Sequence, residues 1–115
     1  MKQKEITINN KKFNVVFTMK TMMGYENITG RSFFGESFEK ISDKIALVMA
    51  AILAANNDAD ITLEEMMNAE TVEKMNQVIE AGKAVMELAG EFFKIPKVEP
   101  KPKEPTDEEG KSQKN

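Results

Sequence analysis

Glu5-Ile-Thr-Ile-Asn-Asn-Lys-Lys-Phe-Asn-Val-Val-Phe-Thr18 alternates apolar and polar residues on either side of an asparagine pair, then runs straight into Met19-Lys-Thr-Met-Met-Gly-Tyr-Glu-Asn-Ile-Thr29. Period-two alternation around Asn9-Asn10 predicts an antiparallel β-hairpin. A two-residue loop sets Ile6 opposite Phe13 and Lys4 opposite Val15, whereas a four-residue loop sets Ile8 opposite Phe13 and Ile6 opposite Val15. Either register gathers Ile6, Ile8, Phe13, Val15 and Phe17 on one face and Glu5, Thr7 and Asn14 on the other. A three-residue loop would mix the faces and turn apolar residues into water. Asparagine tolerates the positive φ of a type I′ turn. A lone hairpin is marginal in water, so this apolar face must lie on helices.

The rest of the chain supplies them. The first helix spans about Met19 to Thr29, with Gly30 as a left-handed C-terminal cap. A loop, Arg31 to Glu36, carries Phe33 and Phe34. The second helix is expected to open near Ser37 as N-cap, with Glu39 in its first turn. Its residues Phe38, Ile41, Ile45, Val48, Ile52 and Ala55 are spaced 3, 4, 3, 4, 3, and Leu47, Met49 and Leu53 widen the stripe. A helix apolar nearly all round is central and buried. Thr62-Leu-Glu-Glu65 is a capping box that opens a short third helix. Thr71 then caps a fourth, whose cleanest stripe is Val72, Met75, Ile79, Gly82, Met86, Ala89 and Phe93. Gly82 and Ala89 mark a seam where another backbone can approach closely, and Val78, Val85 and Phe92 form a second stripe. The two stripes make one wide core face, or one of them meets a partner. The predicted fold class is α+β: an N-terminal antiparallel hairpin packed on about four helices, residues 1–93. Residues 94–115 hold all four prolines, and Thr106 to Asn115 lack aromatic and β-branched aliphatic residues, so a disordered tail is expected there.

Composition narrows the function. The 115 residues include no Cys and no His, which removes disulfides, thiolate sites, the usual general base and the commonest metal ligand. Residues 1–93 carry 10 Lys+Arg against 14 Asp+Glu, a net of −4, and an acidic body is a poor ligand for nucleic acid. Lys2, Lys4, Lys11 and Lys12 read as solvated lysines that discourage edge pairing of the hairpin. The longest apolar run, Ile45 to Ala55, has 11 residues against the roughly 20 that span a bilayer. With a polar N-terminus and no leader-like run, a cytoplasmic protein without membrane association is expected. Asn56, Asp58 and Asp60 have the alternation of a calcium loop, but Ile61 stands where that loop needs Gly and Met67 where it needs a bidentate Glu. The segment reads as a solvated turn. Glu36, Glu39, Glu64 and Glu65 read as helix-start charges. No catalytic, cofactor-binding or metal-binding residue is assigned, and no enzyme activity is expected.

Methionine and phenylalanine remain. Nine Met include the pairs Met22-Met23 and Met66-Met67, and adjacent helical residues point about 100° apart. One of each pair is expected to face outward or into a groove, the alternative being gap-filling in the core. One of Phe33 and Phe34 is expected in the core and the other free to anchor a partner. The candidate partner-binding residues are Met22, Met23, Phe33, Phe34 and Phe92.

The succession of Ile6-Thr-Ile-Asn-Asn-Lys-Lys-Phe-Asn-Val-Val-Phe-Thr18, then Met19 through Thr29, Gly30 and Phe33-Phe34, with Ile61-Thr-Leu-Glu-Glu-Met66 further on, resembles tailed-phage tail assembly chaperones. The likeness covers about residues 4–93. It implies a non-enzymatic protein, absent from the finished virion, that coats the helical tape-measure protein and recruits tail-tube subunits, with homo-oligomers possible. The alternatives are a virion component (tube, terminator or connector subunit) and a mobile-element adaptor that binds a host protein.

Overall fold

The computed structural model describes residues 2–94. The expected tail therefore lies, from residue 95 onward, outside the described residues. The order is β1 (Gln3–Ile8), β2 (Lys11–Val16), α1 (Met19–Thr29), α2 (Ile41–Ala55), α3 (Leu63–Met67) and α4 (Val72–Phe93). This is the expected α+β architecture of one hairpin and four helices.

The hairpin adopts the two-residue loop. Ile6 pairs with Phe13 and Lys4 with Val15, and Asn9 and Asn10 take φ of 50° and 67°. Tertiary contacts select this loop as well as local preference. The Asn10 N–H donates to Gln77 Oε1 (3.1 Å), Gln77 Nε2 donates back to Asn10 Oδ1 (2.9 Å), and Asn9 Nδ2 donates to the Glu65 carbonyl (3.0 Å). Ile6, Ile8, Val15 and Phe17 are buried and Phe13 is half-buried, so the parity argument places the apolar face correctly. Val16 is the exception. It lies on the outer face yet is buried, where the strand turns into α1 and the Thr21 hydroxyl donates to its carbonyl (2.9 Å).

α2 is the axle of the fold, with an unbroken buried run from Ile45 to Ile52 and contacts to α1, β2, α3 and α4. Its start differs from the sequence reading. Ser37 is not the N-cap and Glu39 is not in the first turn; the helix begins at Ile41 with Asp43 there instead. Phe38, expected as the first member of the stripe, lies before the helix with φ of 60°. Burial of its ring beside Tyr25 and Phe33 (centroids 5.2 and 5.1 Å) opposes helical φ/ψ at that position. Lys44 Nζ ties the detour down by donating to the carbonyls of Phe38 (3.0 Å) and Glu39 (2.9 Å).

The third and fourth helices start as expected. Thr62 and Glu65 exchange bonds of 2.9 and 3.1 Å, and Thr71 Oγ1 accepts from the Lys74 N–H (3.1 Å). The buried face of α4 is Val78, Ala81, Gly82, Val85, Leu88 and Ala89. It draws on both stripes. Of the cleanest stripe, Val72, Met75, Met86 and Phe93 are exposed. The nearest neighbour of Gly82 is the aliphatic stem of Lys44, 3.6 Å from where a Cβ would sit. Close backbone approach occurs instead at Gly24, where a Cβ would stand 3.2 Å from Ala50 Cβ and set the α1–α2 crossing. Lys2, Lys11 and Lys12 are exposed and Lys4 half-buried, and all four are paired: Lys2 to Glu91 (3.8 Å), Lys4 to Glu87 (2.5 Å), Lys11 to Asp60 (3.8 Å) and Lys12 to Glu5 (3.9 Å). Three of these bridges strap the hairpin to α4 and to the turn before α3, each with the modest energy of a solvated pair.

Candidate protein-binding surfaces

Two apolar surfaces are built where helices end. The first is an aromatic crest, and the loop after α1 constructs it. Gly30 takes φ of 73° and donates its N–H to the Glu26 carbonyl (2.8 Å), which turns the chain out of the helix at little steric cost. The Glu26 carboxylate then accepts the Phe33 N–H at 2.9 Å. With that amide fixed, Phe33 points inward (5 % exposed) and Phe34 outward (67 % exposed). Phe33 packs against Phe17, Tyr25 and Phe38 at 5.6, 5.8 and 5.1 Å between centroids. Phe34 meets Phe93 at 6.2 Å, Phe93 meets Phe92 at 5.2 Å, and Phe92 meets Phe17 at 5.3 Å. The chain of rings is therefore continuous from the core to Phe34, Phe92 and Phe93, the latter two being 43 % and 46 % exposed. Beside the crest runs an open groove of about 530 Å³, lined by Phe17, Leu88 and Phe92 with Lys2 and Glu91 at its edge.

A polar clasp holds this loop. Arg31 Nη2 donates to Glu36 Oε1 (2.9 Å) and to Asp43 Oδ1 (2.5 Å), and the Tyr25 hydroxyl donates to Glu36 Oε1 (2.7 Å). Burial, reinforced by that bond to an anionic carboxylate, pushes the Tyr25 phenol up to about 12. Hydrogen bonds from Arg31 and then Tyr25 hold the Glu36 carboxyl below its ordinary range. The bonds from Arg31 to Glu36 and Tyr25 raise the guanidinium's own pKa further. Every charged group in the clasp is committed to another member of it, so its chemistry is that of a fastener between α1, the loop and α2. Among the described residues no group of three or more carboxylates is placed to hold a metal ion. In the Asn56–Asp60 turn the Asp58 N–H donates to Asn56 Oδ1 (3.0 Å) and the Asp60 side chain is fully in solvent.

The second surface lies at the other end of α4, where Ile41 of α2, Met67 of α3 and Val72 and Met75 of α4 are exposed around an open groove of about 320 Å³. Met66, the other member of its pair, is buried beneath them.

Of the five candidate residues, the structure leaves Met23, Phe34 and Phe92 exposed, half-buries Met22 against the core and places Phe33 inside it. Phe34 and Phe92 meet through Phe93, which the sequence reading had not singled out, although its place in the 3–4 stripe of α4 marked it as apolar and periodic. Met23 shares the outer side of α1 with Met19, also exposed. The second surface is not among the five candidates, but the expectation that one of Met66 and Met67 faces outward or into a groove holds for Met67, and Val72 and Met75 open the α4 stripe. Comparison of the chain with protein-family models, with curated proteins and with solved structures returns no match. Among the described residues no helix is long and apolar enough to cross a membrane.

Proposed function

We propose that the chain is a non-enzymatic tail assembly chaperone of a tailed phage or prophage, working in the host cytoplasm on the tape-measure protein and tail-tube subunits. The likeness of residues 4–93 to that family supports the biological assignment. The physical half of the reading is carried by one observation: three phenylalanines, Phe34, Phe92 and Phe93, stand exposed on a crest whose inner rings are core. Such anchors are preorganised, because the side chains that must desolvate are already held by buried neighbours. A tape-measure protein offers long amphipathic helices, whose apolar stripes suit a crest and an adjoining groove.

The test is co-expression with the tape-measure protein encoded beside this gene. Co-purification and a gain in tape-measure solubility, both lost in a Phe34→Ser/Phe92→Ser variant that still folds, are the expected outcome. No association would refute the reading. Detection of the chain by mass spectrometry in purified particles would refute it in favour of a virion component.

A further inference from the structure

We propose that the free edge of β1 takes up an extended, lysine-bearing segment of another polypeptide as a third strand of the hairpin. This goes beyond the tail-assembly reading and does not rest on it.

The register shows which backbone groups are open. A two-residue loop makes Ile8 and Lys11 a hydrogen-bonded pair, and the antiparallel ladder alternates from there, through Ile6 with Phe13 and Lys4 with Val15. Gln3, Glu5 and Thr7 fall between those pairs, so their N–H and C=O groups point away from β2. Among the described residues nothing outside the hairpin bonds the backbone of Glu5 or Thr7, whereas on the opposite edge the Val16 carbonyl accepts from the Thr21 hydroxyl. A row of open donors and acceptors is a template for a strand. Room for one exists beside it: Glu5, Ile6 and Thr7 line an open groove of about 340 Å³ whose other wall is α4, and no β2 residue takes part. Ala81 and Ala84 stand on the α4 side, small enough to leave space for every second side chain of the added strand.

Charge decides which strand. Glu5, Glu73 and Glu80 line this groove, all three exposed, and no lysine or arginine lines it. Glu5 and Glu80 make solvated bridges to Lys12 (3.9 Å) and Lys83 (3.2 Å), which stand outside the groove, and among the described residues Glu73 is in no salt bridge. Exposed pairs of that kind are weak enough to exchange partners. The lysines that would guard an edge are not on this one: Lys11 and Lys12 belong to β2, and Lys4 is held by Glu87 of α4. Lysines on an incoming strand therefore meet opposite charge across the new pairing, while glutamates meet their own. A second copy paired through the same edge would bring these glutamates together, which the like charge opposes.

Amide NMR of the full chain is the experiment. Three synthetic peptides share an alternating valine core: one carries lysines between the valines, its twin carries glutamates there, and the third is the lysine peptide with its backbone amides N-methylated. The expected result is that the lysine peptide moves the Glu5 and Thr7 amide signals and slows their exchange with solvent. The glutamate twin should bind at least about tenfold more weakly, and the N-methylated peptide, which has no donors for the edge, should not bind. Thr7→Pro removes one outward N–H at a position outside the hairpin ladder and should abolish binding with the helical circular dichroism unchanged. The peptide comparison uses the unaltered protein, so a variant that misfolds does not shelter the proposal. No response to the lysine peptide overturns it, as do equal binding of the charge twins, binding of the N-methylated peptide, or shifts that leave Glu5 and Thr7 unmoved. Movement of those two signals on dilution would put a second copy on the edge, and movement on removing residues 95–115 would put the chain's own C-terminal segment there; either also overturns it.

Discussion

Phe33 and Phe34 are chemically identical neighbours, and truncating each to alanine separates core from crest. Phe33 is 5 % exposed and lies within 6.4 Å, centroid to centroid, of Phe17, Tyr25, Phe34, Phe38 and Phe93. Deleting its ring removes the apolar area from a packed site and leaves a cavity, which costs about 3–5 kcal/mol for Phe→Ala. Phe34 is 67 % exposed and touches two rings, Phe33 and Phe93. Only about a third of a side chain that can bury roughly 200 Å² is out of water, and at about 25 cal/mol per Å² its loss costs about 1.7 kcal/mol. Urea denaturation followed by circular dichroism measures both. The expected outcome is a loss for Phe33→Ala at least twice that for Phe34→Ala, with unchanged m-value in the latter. Comparable losses, or a loss under about 2 kcal/mol for Phe33→Ala, would refute the division of the pair.

Gly24→Ala adds a methyl 3.2 Å from Ala50 Cβ, so the helix-propensity gain of about 1 kcal/mol is outweighed by overpacking of the α1–α2 crossing. Gly90→Ala, where a Cβ meets nothing among the described residues within 4 Å, keeps that gain and raises the melting temperature; a Gly24→Ala protein as stable as the Gly90→Ala protein would contradict the geometry. Ile52→Asp places an unpaired charge in the buried heart of α2 and should leave no cooperative unfolding transition in calorimetry. Tyr25 is the only tyrosine, so tyrosinate absorbance titrates it directly, and its ionisation should be displaced upward to about 12. A proton held more tightly in the folded than in the unfolded state means stability intact below pH 10 and falling from 10.0 towards about 12, a loss that Tyr25→Phe should abolish. Glu36 has the opposite sign: its lowered pKa contributes stability above its ordinary value of 4.5 that is lost as pH falls below it, and Glu36→Gln should flatten that acid limb.

What was legible in the sequence followed from periodicity and caps, which are local. Parity alone determined which hairpin residues face the helices, and the Thr62, Thr71 and Gly30 signals ended or began helices where the structure does. What was missed depends on contacts between distant segments. Nothing near Ser37 reveals that Phe38 will accept a positive φ, a strain of about 1–3 kcal/mol, because the offsetting burial comes from Tyr25 and Phe33. Gly24 gives no sign of its neighbour, since Ala50 lies on another helix. The most regular stripe of α4 is covered at Gly82 and Ala89 and exposed at Val72, Met75, Met86 and Phe93, because regular spacing identifies a face but distant segments decide how much of it is covered. In the candidate site, the division of Phe33 from Phe34 was legible in kind, as one in and one out; the direction is set by the Glu26 bond to the Phe33 amide.

The two surfaces are held apart by one continuous helix. Val72 and Met75 open α4, and Phe92 and Phe93 close it. At 1.5 Å per residue, Met75 and Phe92 are about 25 Å apart along the axis, more than four helical turns. A short partner helix lying on the crest therefore cannot reach the trough at the α3–α4 corner; touching both would take a partner of about five turns or more. For such a partner the second contact is intramolecular once the first has formed, and its effective concentration raises overall affinity without any new contact. The surfaces also differ in character: aromatic anchors at one end, methionine and branched aliphatic side chains at the other.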